Sequence, residues 1–179
     1  MLKIVLTFGL IAGAVMSAMV ILSLPFLDQI GFENGTIVGY ASMVAAFLMV
    51  FFGVRAYRDQ VAGGAITFGR ALGVGLAIML VASLCYVVVW QIVYFNFMPD
   101  FADKYAAYMI EKERAAGATA AQLDASRQQM RDFKEMYDKP LFNAAFTLLE
   151  PLPVGVLISL ISAGVLRRGR QDGALAGTA

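Results

Sequence analysis

The sequence predicts an all-α membrane protein with four transmembrane helices and an extracytoplasmic helical hairpin inserted between the third and the fourth helix. Three observations predict this fold. The chain is 60% hydrophobic and only 15% charged, which lies outside the usual range of soluble domains. Four stretches are almost free of charge, and each is long enough to cross a hydrocarbon core of about 30 Å. Most charged residues are collected in one segment before the last of these stretches.

The first predicted transmembrane helix is the uncharged run over residues 4–24. A cleavable signal peptide is the alternative, because Lys3 precedes the run and Ala12-Gly13-Ala14 resembles a cleavage site. The run continues ten residues beyond that site, which is longer than the apolar region of a signal peptide requires. A retained helix is therefore favoured.

The second predicted helix covers residues 36–54. Residues 25–35 before it are turn-rich and carry only acidic charges, which indicates an external loop. The helix is followed at once by Arg55 and Arg58, a cationic border typical of a membrane interface.

The third predicted helix covers residues 71–95 and ends in an aromatic girdle that includes Trp90 and Tyr94. The connection before it contains Gly63 and Gly64. Paired glycines permit a tight turn, so we expect a short cytoplasmic loop there.

Residues 96–140 are hydrophilic and carry seven basic and eight acidic side chains. Apolar residues recur at helical spacing in each half, and Gly117 separates the halves. Thr119 and Gln122 fit a capping box at the start of the second half. A pair of helices is therefore predicted.

The fourth apolar run covers residues 141–166 and stops at Arg167 and Arg168. The fourth predicted helix is assigned to residues 141–168, and a disordered cytoplasmic tail is predicted over 169–179. The two ends of the chain and the 55–70 connection carry seven basic and two acidic residues. Because cytoplasmic segments are enriched in Lys and Arg, both termini are expected in the cytoplasm. The predicted location is the bacterial inner membrane, and the hairpin should lie outside the cytoplasm.

Glu150 is the only charged residue inside the four apolar runs. An ionised carboxylate near the centre of a bilayer costs several kcal/mol without compensation, so Glu150 is a candidate proton or cation site. Pro151 and Pro153 follow it and are expected to kink the helix. Neutral polar residues at matching depth on the other helices are its candidate neighbours: Tyr86, Ser83, Ser17 and Ser42.

A second interpretation of this region remains open. Pro151 could instead begin a shorter helix over 151–166, because proline is favoured at the first helical position. Residues 141–149 would then lie at the membrane interface, with Glu150 in water.

Small residues at four-residue spacing occur on three of the predicted helices. They permit close helix contact in lipid, either within one bundle or between two copies of the chain, and the sequence leaves both open. The residues are Gly9, Gly13 and Ser17; Gly35, Gly39, Ser42 and Ala46; and Gly155, Ser159 and Ala163.

The composition also argues against several classes of function. Histidine is absent and Cys85 is the only cysteine, which argues against zinc sites and against nucleophiles activated by histidine. No enzyme, cofactor or nucleic-acid partner is expected. The favoured hypothesis is a non-catalytic accessory or interaction protein that contacts the lipid bilayer and either a second copy or an unidentified membrane protein. The alternative is a small oligomeric transporter or channel component that uses Glu150.

Two stretches resemble a known family of bacterial membrane proteins, the domain of unknown function 4199. They are FFGVRAYRDQVAGGAITFGRALGVGL at 51–76 and LEPLPVGVLISLISAGVLRR at 149–168. The resemblance implies a four-helix inner-membrane protein of this size. It implies no activity, ligand or catalytic residue.

Overall fold

The computed structural model describes residues 1–168, apart from the side chains of Leu27 and Asp28, and the predicted tail at 169–179 lies outside the described residues. The described part is helical. Its helices are α1 (Leu2–Ser23), α2 (Leu27–Gln60), α3 (Phe68–Phe97), α4 (Phe101–Ala115), α5 (Ala120–Tyr137), α6 (Pro140–Leu149) and α7 (Leu152–Leu166), with a single 3-10 turn at Leu24–Phe26 between α1 and α2.

Four helical stretches of the described chain are long and apolar enough to cross a membrane. Each overlaps one of the four predicted hydrophobic runs, and the fourth consists of α6 and α7 together. The four stretches are Leu2–Phe26, Gln29–Gln60, Phe68–Phe97 and Pro140–Leu166.

The predicted loop at residues 25–35 is wrong over most of its length, because α2 already begins at Leu27. Gly31 interrupts this helix with a φ of 70°, a conformation that glycine adopts at little cost. At 1.5 Å per residue α2 is about 50 Å long, well beyond the ~30 Å of a hydrocarbon core. Its polar first turns can therefore be helical and still project out of the membrane.

Glycines on α1 set its close packing against α3, the central helix of the bundle. A Cβ atom added to Gly9 would lie 2.6 Å from the Cβ of Val81, and one added to Gly13 would lie 2.6 Å from the Cβ of Cys85. Atoms cannot approach so closely, so these two positions require glycine at the observed helix separation.

The small-residue stripes of α7 and α2 have different surroundings. On α7, a Cβ added to Gly155 would lie 2.3 Å from the Cγ of Met79 on α3, so this stripe also packs inside the bundle. On α2, added Cβ atoms at Gly35 and Gly39 would meet no described atom within 4 Å. Packing within one chain thus accounts for the stripes of α1 and α7, whereas the first half of the α2 stripe faces open space.

The hydrophilic segment forms a helical hairpin, α4 and α5, in which Gly117 turns the chain with a φ of 87°. The predicted capping box is confirmed: the backbone N–H of Gln122 donates to Thr119 Oγ1, and the backbone N–H of Thr119 donates to Gln122 Oε1 at 2.8 Å. The ring of Phe32 on α2 contacts the α4 rings of Phe101 and Tyr105 at centroid distances of 5.7 and 5.6 Å. These contacts fix the hairpin against the bundle, at what we call the hairpin end.

The opposite end of the bundle, here the termini end, is closed by the α2–α3 connection. Gly63 and Gly64 have φ values of 67° and 87°, which L-residues with side chains rarely adopt. Ile66 then pairs with Arg168 through two backbone hydrogen bonds of 3.1 and 3.0 Å. This pairing ties the connection to the end of α7.

Candidate functional site

The fourth membrane-crossing stretch is broken at Glu150 and Pro151, where α6 ends and α7 begins. Pro151 and Pro153 have no N–H to donate, so the carbonyls four residues before them lose their helical partners. Glu150 and Pro151 both keep right-handed helical torsion angles. The chain therefore keeps a helical course across this break, and the Pro151 carbonyl accepts the 2.9 Å hydrogen bond from Gly155 N–H that opens α7.

Glu150 lies beside Tyr86 of α3 at this break. The Tyr86 hydroxyl donates to Glu150 Oε2 at 3.1 Å. Tyr86 is only 7% exposed, whereas Glu150 is exposed when the whole residue is considered. One carboxylate oxygen is thus held by a buried hydroxyl, in a residue that reaches the lateral surface of the bundle.

None of the three serines predicted as neighbours of Glu150 has a hydrogen bond to its carboxylate among the described residues. Ser83 is fully buried and its hydroxyl has no hydrogen-bond partner in the described part of the chain. Ser42 donates to the Val38 carbonyl of its own helix at 2.6 Å. Ser17 is buried on α1. Of the four candidate neighbours, the structure brings Tyr86 to the carboxylate.

Polar side chains continue from this pair towards the hairpin end, along the contact between α3 and α6. Gln91 Nε2 donates to Asn143 Oδ1 at 2.9 Å and to the Pro140 carbonyl at 3.1 Å. The Thr147 hydroxyl lies 3.4 Å from the same Asn143 oxygen. Hydrogen bonds of this kind join helices inside a membrane, where apolar burial gives little attraction between them.

The same contact extends to the end of α5. Trp90 Nε1 donates to the Tyr137 hydroxyl at 3.0 Å, and the Tyr94 hydroxyl donates to Asp138 Oδ1 at 2.6 Å. Burial raises the pKa of Tyr137, its hydrogen bonds with Thr147 and Trp90 act in the opposite direction, and the negative charge of Glu150 raises it further. Tyr137 thus links the hairpin to α3.

On α6 the polar side chains are buried and the leucines are exposed, which is the reverse of the pattern on a surface helix of a soluble protein. Asn143 and Thr147 are 0% and 2% exposed and face the protein, whereas Leu141 and Leu149 are 85% and 63% exposed. An amphipathic helix at the membrane interface would turn its polar face to water. Polar groups facing protein and leucines facing outward are typical of a helix surrounded by lipid.

Glu150 and Tyr86 are predicted site residues, whereas the polar residues between α3 and α6 were not predicted, namely Gln91, Asn143 and Thr147. The sequence nevertheless contains a pattern that indicates these polar residues. Asn143 and Thr147 lie four residues apart, so they share one helix face. Side-chain amides in otherwise apolar runs are also unusual enough to indicate helix contacts.

The fold and this site define a class of protein, a four-helix membrane bundle with a helical hairpin at one end and a polar contact along its fourth crossing. A family model described as "Protein of unknown function (DUF4199)" matches residues 7–168, and the chain belongs to this family. The resemblance seen in the stretches at 51–76 and 149–168 is thereby confirmed. No curated protein and no solved structure matches the chain.

Proposed function

We propose that this chain is a non-catalytic accessory protein of the bacterial inner membrane that binds a second membrane protein beside Glu150. The observation that carries the proposal is the carboxylate of Glu150, in a residue that reaches the lateral surface of an apolar bundle. Tyr86 donates to one of its two oxygens, and no described residue donates to the other. A partner helix that presents a hydrogen-bond donor at this depth would complete the site.

The partner is best sought among other membrane proteins rather than in a second copy. The four apolar runs contain no Lys or Arg, so a second copy would bring no cation to Glu150. A partner helix with a Lys, Arg or amide side chain would satisfy the carboxylate more fully, because hydrogen bonds to charged groups are the stronger class.

A role in transport receives less support. Ile78, Val50 and Val74 in the interior of the bundle are at most 1% exposed, and the buried Ser83 and Ser159 beside them are 0% exposed. A transport site would need a wet path on both sides, whereas these interior residues are closed to solvent. The excess of basic residues at the chain ends supports cytoplasmic termini, which would place the hairpin outside the cytoplasm.

Site-specific photo-crosslinking in native membranes tests this function. A photoreactive residue replaces Leu149, which is exposed next to Glu150, and we expect one discrete adduct with another protein. Glu150→Leu should lower the yield of this adduct by about tenfold. The substitution removes a hydrogen bond to a charged group, and a loss of about 1.4 kcal/mol corresponds to a factor of ten in binding. Glu111→Gln in the hairpin is the matched control and should leave the yield unchanged.

Two results would contradict the proposal. One is an adduct yield that does not depend on Glu150, or labelling of lipid alone. The other is a proton flux in vesicles containing only the purified chain that disappears in Glu150→Gln, because this would indicate transport.

A further inference from the structure

A shallow, open cleft of about 430 Å³ lies along α2, beside Phe8 of α1, near the termini end of the bundle and far along the chain from Glu150. The wall of the cleft farther from the mouth is apolar and consists of Phe8, Met49 and Phe52. Phe8 packs directly against Gly53, where an added Cβ would lie 3.1 Å from its Cγ atom. Glycine at this position therefore lets the phenylalanine form one side of the cleft.

The mouth of the cleft is polar, and its surroundings are cationic because Arg55 and the neighbouring Arg58 outnumber the single carboxylate, Asp59. Arg55, Asp59 and Gln60 line it. Arg58 donates to both oxygens of Asp59, at 2.7 and 3.2 Å, and so neutralises that carboxylate. Arg55 lies 3.7 Å from Asp59, and its side chain is 58% exposed. The guanidinium of Arg55 is thus weakly paired and open to a further anion.

The apolar part of the cleft and its cationic mouth correspond to the acyl chain and the headgroup of a lipid molecule. From Met49 to Gln60 the α2 face extends about 16 Å along the helix axis, from an aromatic and aliphatic wall to a cationic mouth. Arginine binds phosphate through paired hydrogen bonds, and basic pockets between membrane helices are suited to anionic headgroups. A zwitterionic lipid would bring its own cation to an already positive mouth, which disfavours it.

We propose that this cleft binds one anionic phospholipid, with its phosphate on Arg55 and one acyl chain along Phe52, Met49 and Phe8. This site is independent of the partner proposed for Glu150, since the two lie on different helices.

Native mass spectrometry of the full chain tests the lipid site. The protein is released from detergent micelles that contain equal amounts of phosphatidylglycerol and phosphatidylcholine with identical acyl chains, and the two lipid adducts are counted. We expect phosphatidylglycerol to be retained over phosphatidylcholine by about fivefold, the contribution of one arginine near an anionic surface. Arg55→Gln should abolish this preference, and Arg55→Lys should keep most of it.

Arg167→Gln is the matched control, because Arg167 is an exposed cation at the same end of the bundle but outside the cleft. It should behave like the unchanged protein. Equal retention of both lipids by the unchanged protein would overturn the proposal. An equal loss of preference in Arg55→Gln and Arg167→Gln would also overturn it, because that result indicates general attraction to the basic rim. Gel filtration of each variant establishes that it is folded.

Discussion

Phe47→Ala is expected to lower the free energy of unfolding by about 2 kcal/mol. Phe47 lies on α2 at the centre of the bundle and is fully buried. In lipid the transfer part of the usual cost disappears, because the separated helices remain in an apolar solvent. The cavity part remains, at about 24 cal/mol per Å³ for a void on the order of 100 Å³.

The measurement is unfolding in mixed micelles titrated with a denaturing detergent. Leu48→Ala provides the control, since Leu48 is the next residue of the same helix and is 50% exposed on the outside. It should shift stability by less than about 0.5 kcal/mol. Equal losses in the two variants would mean that Phe47 is not in the interior.

Gly9→Ala is expected to destabilise the contact between α1 and α3 by about 1–3 kcal/mol through overpacking. The new methyl group would lie 2.6 Å from the Cβ of Val81 and 3.1 Å from the carbonyl oxygen of Ile78. Neither atom belongs to the far end of a flexible side chain, so the helices themselves must separate.

Gly73→Ala is the matched control for the same chemical change. Gly73 is exposed on α3 with no neighbour within 4 Å, so alanine there should be neutral or stabilise by up to about 1 kcal/mol through helix propensity. The same unfolding titration measures both variants. A finding that Gly9→Ala is as stable as Gly73→Ala would contradict the close α1–α3 packing.

Much of the helical order could be predicted from the sequence because lipid imposes a simple rule. Backbone groups in hydrocarbon must bond internally, so each long apolar run becomes a helix. The capping box at Thr119 was equally visible, because its hydrogen bonds are local and depend on residue types three positions apart.

The remaining features depend on contacts between distant segments, which a single sequence does not display. Residues 25–35 contain turn-forming types, yet α2 continues through most of them because its first turns pack on the hairpin through Phe32. The pairing of Gln91 with Asn143 joins residues 52 positions apart. Tyr86 could be proposed as a neighbour of Glu150 by depth alone, but depth did not distinguish it from the three serines.

The break at Glu150 also combines features of both sequence interpretations. As the second interpretation suggested, a new helix starts directly after Pro151, at Leu152. As in the first, the carboxylate contacts another membrane-crossing helix rather than standing apart in water. The leucines of α6 face outward, which favours lipid around this part of the chain.

The proposed function requires Glu150 to face lipid on the side of the bundle, and carbodiimide labelling tests this position most directly. Membranes containing the full chain are treated with either dicyclohexylcarbodiimide, which partitions into lipid, or a water-soluble carbodiimide, and modified carboxyl groups are found by peptide mass spectrometry. We predict that the lipid-soluble reagent modifies Glu150, and that the water-soluble reagent modifies Glu111 of the hairpin but spares Glu150. Modification of Glu150 by the water-soluble reagent as fast as Glu111 would contradict this account.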